Sequence, residues 1–149
     1  MKILFVDAGN YCRSPAAEAV CRKLAAHAAL AGRVSFGSAG LKDKHVGDTA
    51  DPRTIAACAA RGYDLGAFRC REIGPVDFAT TDLILAMDRD NLRQLEERCP
   101  AGSPSRIELF LGDREVPDPY YGDADGFGLM MDQIEAGARR LLTTLGVEQ

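Results

Sequence analysis

The sequence predicts an α/β fold: one domain built on a four-stranded parallel sheet with helices on both faces. Three observations point there. Four short apolar runs, 2–6, 33–37, 82–87 and 106–110, are spread along the chain. Helix-like segments separate them, as crossover connections between parallel strands require. The 149 residues show no repeat, no low-complexity stretch and no composition shift that would mark a linker, so residues 1–149 are expected to form a single domain.

The elements follow in order. Residues 2–6, KILFV, read as a buried strand. Residues 15–31 are alanine-rich and begin with proline at a first helical position, with Ser14 as the expected N-cap. Residues 33–37, RVSFG, alternate as a strand, and the polar stretch 38–51 reads as a long loop. Asp51-Pro52 opens a helix that Gly62 stops. Residues 63–81 are irregular, with a helical turn near Pro75. DLILAM at 82–87 is a third strand, 88–98 a helix closed by Pro100, and RIELF at 106–110 the fourth strand. A polar loop containing Pro117 and Pro119 follows, then a helix over 128–145 with Met131, Ile134, Ala138, Leu141 and Leu142 on one face.

Composition narrows the function. Net charge is −4, which argues against a nucleic-acid binder. No apolar stretch approaches the ~20 residues of a membrane span, and the N-terminal run is too short for a signal peptide; the cytoplasm is the expected location. Five cysteines without a CxxC pair, with only two histidines, fit neither a disulfide framework nor a zinc site. No metal or cofactor is expected.

The chemistry concentrates in residues 7–14, DAGNYCRS, between the first strand and first helix. In an open parallel sheet, ligands bind at the carboxyl ends of the strands. Gly9 and Asn10 are the residue types that most readily take left-handed angles, which turn successive N–H groups toward one point. The following helix adds its free N–H groups and positive dipole end. Arg13 supplies a planar fork for two oxygens. Together Ala8, Gly9, Asn10, Tyr11, Cys12, Arg13 and Ser14 describe an N-terminal phosphate-binding loop for phosphate or a similar oxyanion. Neither a Gly-Lys-Ser/Thr ending nor a GxGxxG pattern is present.

This stretch, VDAGNYCRSPAAE, resembles the V-C-x-G-N-x-C-R-S-P-x-A-E signature of low-molecular-weight protein tyrosine phosphatases. The resemblance runs over essentially the whole chain: SAGL at 38–41, DPR at 51–53, DLILAMDRDNLRQL and DPYY at 118–121 fall in the family's order. It is most similar to the bacterial branch linked to tyrosine autokinases of capsule and exopolysaccharide synthesis. It implies hydrolysis of phosphotyrosine on proteins by a metal-free phosphoenzyme route, with such an autokinase as a partner. Arg13 would clamp phosphate, Ser14 would stabilise the nucleophile, Asn10 would hold the turn, and Asp118 would be the general acid. Tyr120 and Tyr121 would wall the substrate pocket. The opposite wall would come from the 41–47 loop, where Leu41, Lys42, Asp43, Lys44 and His45 offer no aromatic stack and Lys42 and Lys44 would favour acidic sequence.

Asp7 stands where the signature has its nucleophilic cysteine, with the five-residue gap to Arg13 kept. A carboxylate is charged at neutral pH, accepts the loop N–H groups itself and repels phosphate. Three readings are open. Asp7 is an engineered replacement that abolishes turnover; or the chain is a natural pseudophosphatase that binds phosphotyrosine; or Asp7 attacks with metal assistance. The otherwise intact signature favours the first, and the chain is expected to be nearly inert. Cys12, the signature's second cysteine, is not placed to attack. An arsenate reductase is a more distant rival, because those relatives carry two further cysteines after the third strand and this chain has only Cys99 there.

Overall fold

The computed structural model describes residues 1–28, 30 and 32–146. Its elements are β1 (Lys2–Asp7), α1 (Arg13–His27), β2 (Ser35–Gly40), α2 (Pro52–Ala59), α3 (Pro75–Thr80), β3 (Leu83–Ala86), α4 (Arg89–Arg98), β4 (Arg106–Leu109) and α5 (Ala124–Thr144). The four strands form one parallel sheet in the order β2-β1-β3-β4. Both faces are covered, so β1 and β3 are apolar at every position along their length except Lys2 and Asp7. Ile3, Phe5, Leu83 and Leu85 pack with Val20 of α1, Cys58 of α2 and Met131, Ile134 and Ala138 of α5. Leu4, Val6, Ile84 and Ala86 pack with Phe78 of α3 and Leu95 of α4. Full burial of each large side chain stabilises by about 1.5–3 kcal/mol.

The strand order fixes where a ligand can sit. The chain leaves β1 toward β2 on one side and reaches β3 on the other, so the crevice between β1 and β3 is a topological switch point. Asp7 ends β1, and Asp88 lies just past β3. The loop from Ala8 to Cys12 opens above that crevice.

Several boundaries differ from the sequence expectation. β2 lies at 35–40, because Phe5, Val6 and Asp7 pair with Ser38, Ala39 and Gly40. The small residues SAG look like loop, but here they leave room for the loop after β1. A Cβ on Gly40 would sit 2.7 Å from the Gly9 carbonyl carbon and 2.8 Å from the Asn10 nitrogen. The first helix begins at Arg13 and ends at His27, and residues 29 and 31, inside the expected 15–31 helix, lie outside the described residues. Cys12, not Ser14, holds the N-cap position, and its side chain makes no capping bond. α5 starts at Ala124, four residues before the expected Gly128. Gly126 and Gly128 disguise that first turn, although a Cβ at Gly126 would meet Pro119 Cβ at 3.6 Å, an ordinary packing distance.

Candidate functional site

The loop is shaped by Asn10. Its φ is +56°, the one non-glycine left-handed residue among those described. Its side chain is fully used: Nδ2 donates to Ser14 Oγ (2.8 Å) and Ser38 Oγ (3.0 Å), and Oδ1 accepts from the Arg71 N–H (2.8 Å). Ser38 in turn donates to Glu18 (2.6 Å). Gly9 does not take a left-handed angle. Its lack of a side chain serves space instead, since a Cβ would meet His45 Cδ2 at 3.3 Å.

Asp7 is 3% exposed, and both its oxygens are engaged. Oδ1 accepts from the Asn10 N–H at 2.6 Å and Oδ2 from the Ser14 N–H at 2.9 Å. The second bond caps the first turn of α1, which is why no neighbouring side chain does so. The N–H groups of Gly9, Tyr11, Cys12 and Arg13 have no hydrogen-bond partner among the described residues.

Arg13 is buried below the loop. Its Nη1 donates to Asp88 Oδ2 and to the Val116 carbonyl, both at 2.8 Å, and Nη2 lies 3.7 Å from Asp118 Oδ2. Nε has no partner. Burial opposes its charge, but Asp7, Asp88 and Asp118 outweigh that and hold the guanidinium above its ordinary pKa.

Asp7, Ala8, Gly9, Tyr11, Cys12 and Arg13 line a cavity of about 220 Å³ together with Lys42, Lys44, His45, Asp118, Tyr120 and Tyr121. Tyr120 and Tyr121 meet edge to face at 4.7 Å. Asp118 Oδ1 accepts from the Tyr120 N–H (3.1 Å), so an Asx turn and a place at the cavity are the same feature.

Three expectations need correction. Leu41 does not line the cavity: it is 1% exposed and packs beneath the sheet with Leu4, Val6 and Ile73, because the strand alternation carries past Gly40. Asn10 and Ser14 brace the loop from behind rather than facing a ligand, since their side chains are buried and their N–H groups are taken by Asp7. The 41–47 wall does carry an aromatic stack: His45 lies parallel to Tyr11, 3.7 Å between centroids and 5° between planes. Sequence reading also passed over Asp88 and Gly40. Asp88 was findable as the first polar residue past an apolar strand at the switch point; Gly40 was not, because close backbone approach leaves no local pattern.

Cys12 faces Asp51, Sγ to Oδ2 at 3.7 Å. Burial first pushes its thiol up to about 12; Thr54 pulls the other way, and Asp51, Asp7 and Asp118 add smaller upward pushes. It is a neutral thiol, not a nucleophile.

The profile of the low molecular weight phosphotyrosine protein phosphatases matches residues 2–149. The chain belongs to this family. A low molecular weight protein-tyrosine-phosphatase of Synechocystis sp. is 44% identical over 155 residues, covering 99% of this chain and 98% of the relative. The structure of a protein tyrosine phosphatase from Entamoeba histolytica, with Hepes in its active site, superposes with a TM-score of 0.92 at 38% identity, over 98% of this chain and 97% of that one. Vibrio vulnificus Wzb in complex with benzylphosphonate matches at TM-score 0.85 and 26% identity, over 96% and 97%. The four-stranded parallel α/β fold of this chain matches those two solved structures, and the cavity above β1 is its candidate phosphatase site.

Proposed function

We propose that this phosphatase scaffold is built for phosphotyrosine on proteins and that Asp7 holds it nearly inert. The carrying observation is the double engagement of Asp7. A nucleophile needs a free electron pair aimed at phosphorus, and a phosphate dianion needs the loop N–H groups. Here one buried carboxylate occupies two of those groups and adds a negative charge where the dianion would rest. A thiolate in its place would release the two N–H groups from the carboxylate, and Asn10, Ser14, Arg13 and Asp118 would then serve the roles that the family resemblance gives them. Asp7 is best read as a replaced cysteine.

A tyrosine autokinase of polysaccharide synthesis is the proposed partner, and the cytoplasm the proposed location. The likeness in fold to Vibrio vulnificus Wzb, whose structure holds benzylphosphonate, supports the phosphatase reading.

The unpaired N–H groups of Gly9, Tyr11, Cys12 and Arg13, with the orphan Arg13 Nε, support a second reading. They leave donors for an oxyanion even with Asp7 in place, as a phosphotyrosine-binding module would need.

The deciding experiment is Asp7→Cys, assayed beside the unaltered chain on p-nitrophenyl phosphate with EDTA and with Mg²⁺. The expected result is turnover by the cysteine form without metal, at least about 10³-fold above the unaltered chain. If neither form turns over, the binding module is the better reading. Activity of the unaltered chain that depends on Mg²⁺ sinks the proposal in favour of carboxylate attack.

A further inference from the structure

Two parts of the cavity come from distant stretches: the loop 8–13 and the segment 117–121 that carries Asp118. Besides the 3.7 Å approach of Arg13 to Asp118, the Arg13 bond to the neighbouring Val116 carbonyl and the tilted rings of Tyr11 and Tyr120, 5.9 Å apart, a chain of polar contacts ties them. The Asp51 N–H donates to the Tyr11 carbonyl at 3.0 Å, and Cys12 Sγ lies against its carboxylate. Arg53 holds the same carboxylate with its own N–H (2.8 Å), Nε (3.1 Å) and Nη2 (2.7 Å). Nη2 also donates to the Tyr120 carbonyl at 2.9 Å. The guanidinium sits 5.5 Å from the Tyr120 ring centre and 4.7 Å from that of Phe127, at the start of α5. From Tyr120 the circuit closes through its N–H on Asp118 and through Asp118 back to Arg13.

We infer that Arg53 is a positioning residue, which sets the Asp118 carboxyl over the phosphate site by pinning the Tyr120 peptide to the Asp51 post. The inference rests on the phosphatase reading above and adds a residue to it. The chemistry favours arginine: a planar fork can bind a carboxylate, donate to a carbonyl and lie between two aromatic rings at once, which an ammonium cannot. Burial works to raise the Asp51 carboxyl, and the Arg53 bonds outweigh it and hold it below the usual carboxylate range, so the post stays charged. Arg53 does not line the cavity; it reaches Asp118 through Asp51 and Tyr120.

A positioning role has a signature that loss of fold lacks. Protonation by Asp118 matters most when the leaving group is a poor one. In the Asp7→Cys background, Arg53→Ala should lower kcat/KM for phenyl phosphate by about 10-fold or more, part of the 10²–10⁴ a general acid supplies. The fall for p-nitrophenyl phosphate, whose leaving group needs little help, should be much smaller. Arg53→Lys keeps a pair with Asp51 and should show the same selective loss. On an Asp118→Ala background, removing Arg53 should change nothing further, because both residues act on one step. Equal losses on both substrates, or full additivity with Asp118→Ala, overturn the inference. If Asp7→Cys does not turn over, the phosphatase reading fails by itself, and amide exchange in the unaltered chain decides. Arg53→Ala should then speed exchange across 117–122 while α1 keeps its protection; unchanged exchange there overturns the inference.

Discussion

Asp7 does for the loop what a capping side chain and a bound anion would otherwise do together. It satisfies the Asn10 and Ser14 N–H groups in a buried site, where an unpaired donor costs about 1–3 kcal/mol. Asp7→Ala should therefore melt lower than the unaltered chain in phosphate-free buffer. It should also bind phosphate, because the charge that repels the dianion is gone and two more donors are free. Added phosphate should raise its melting temperature progressively, by mass action on the folded state, while the unaltered chain responds far less. A phosphate-insensitive Asp7→Ala protein would mean that the loop is not an anion site. Thiol reactivity tests the same neighbourhood. All five cysteines are free, and only Cys99 is not buried. One thiol should react quickly with a disulfide reagent in the native protein, and Cys12 should stay silent at neutral pH until denaturant is added.

Among the elements, β2 shows how much of the design was legible. The sequence pattern marked four strands, five helical stretches including the turn at Pro75, and the loop after β1, since burial periodicity and Pro or Gly punctuation are local signals. That Asp7 and Arg13 line the cavity was legible through the loop motif, and that Asp118, Tyr120 and Tyr121 do was legible through DPYY. What was not legible depends on contacts between distant segments: the stack of His45 on Tyr11, the inward turn of Leu41, and the place of SAG at the end of a strand. Gly40 carries the clearest consequence. Its Cα side faces the backbone of Gly9 and Asn10, atoms that cannot rotate away. Gly40→Ala should cost about 1–3 kcal/mol of stability, the usual penalty for overpacking, and push the loop out of register. Urea melts would read the first effect and loss of phosphate response in the Asp7→Ala background the second. Gly74→Ala, which meets nothing within 4 Å, is the control that should leave the loop unaffected.

Across the whole molecule, carboxylates hold segments that the sheet does not. Asp77 in α3 accepts from Arg71 at 3.0 and 2.9 Å and from the Gly74 N–H, tying the 63–74 stretch to the sheet's second face. Glu135 of α5 accepts from Arg61 and Tyr63, tying α5 to the end of α2. Burial works to raise both carboxyls, yet their hydrogen bonds and the nearby arginines outweigh it, so both sit below their ordinary values of 3.8 and 4.5. A depressed carboxylate contributes stability that is present above the unfolded pKa and lost as pH falls through the folded one. The unfolding midpoint in urea should therefore change little on this account between pH 7 and 5, then fall steeply below about pH 4. Asp77→Asn separates this from general acid unfolding. It should be less stable at pH 7, because a neutral amide cannot pair with Arg71 as the carboxylate does, and it should lose less on going to low pH, because the titrating group is gone. An acid loss as large in Asp77→Asn as in the unaltered chain would place the pH sensitivity elsewhere, and the Glu135 contacts with Arg61 and Tyr63 would be the next to remove.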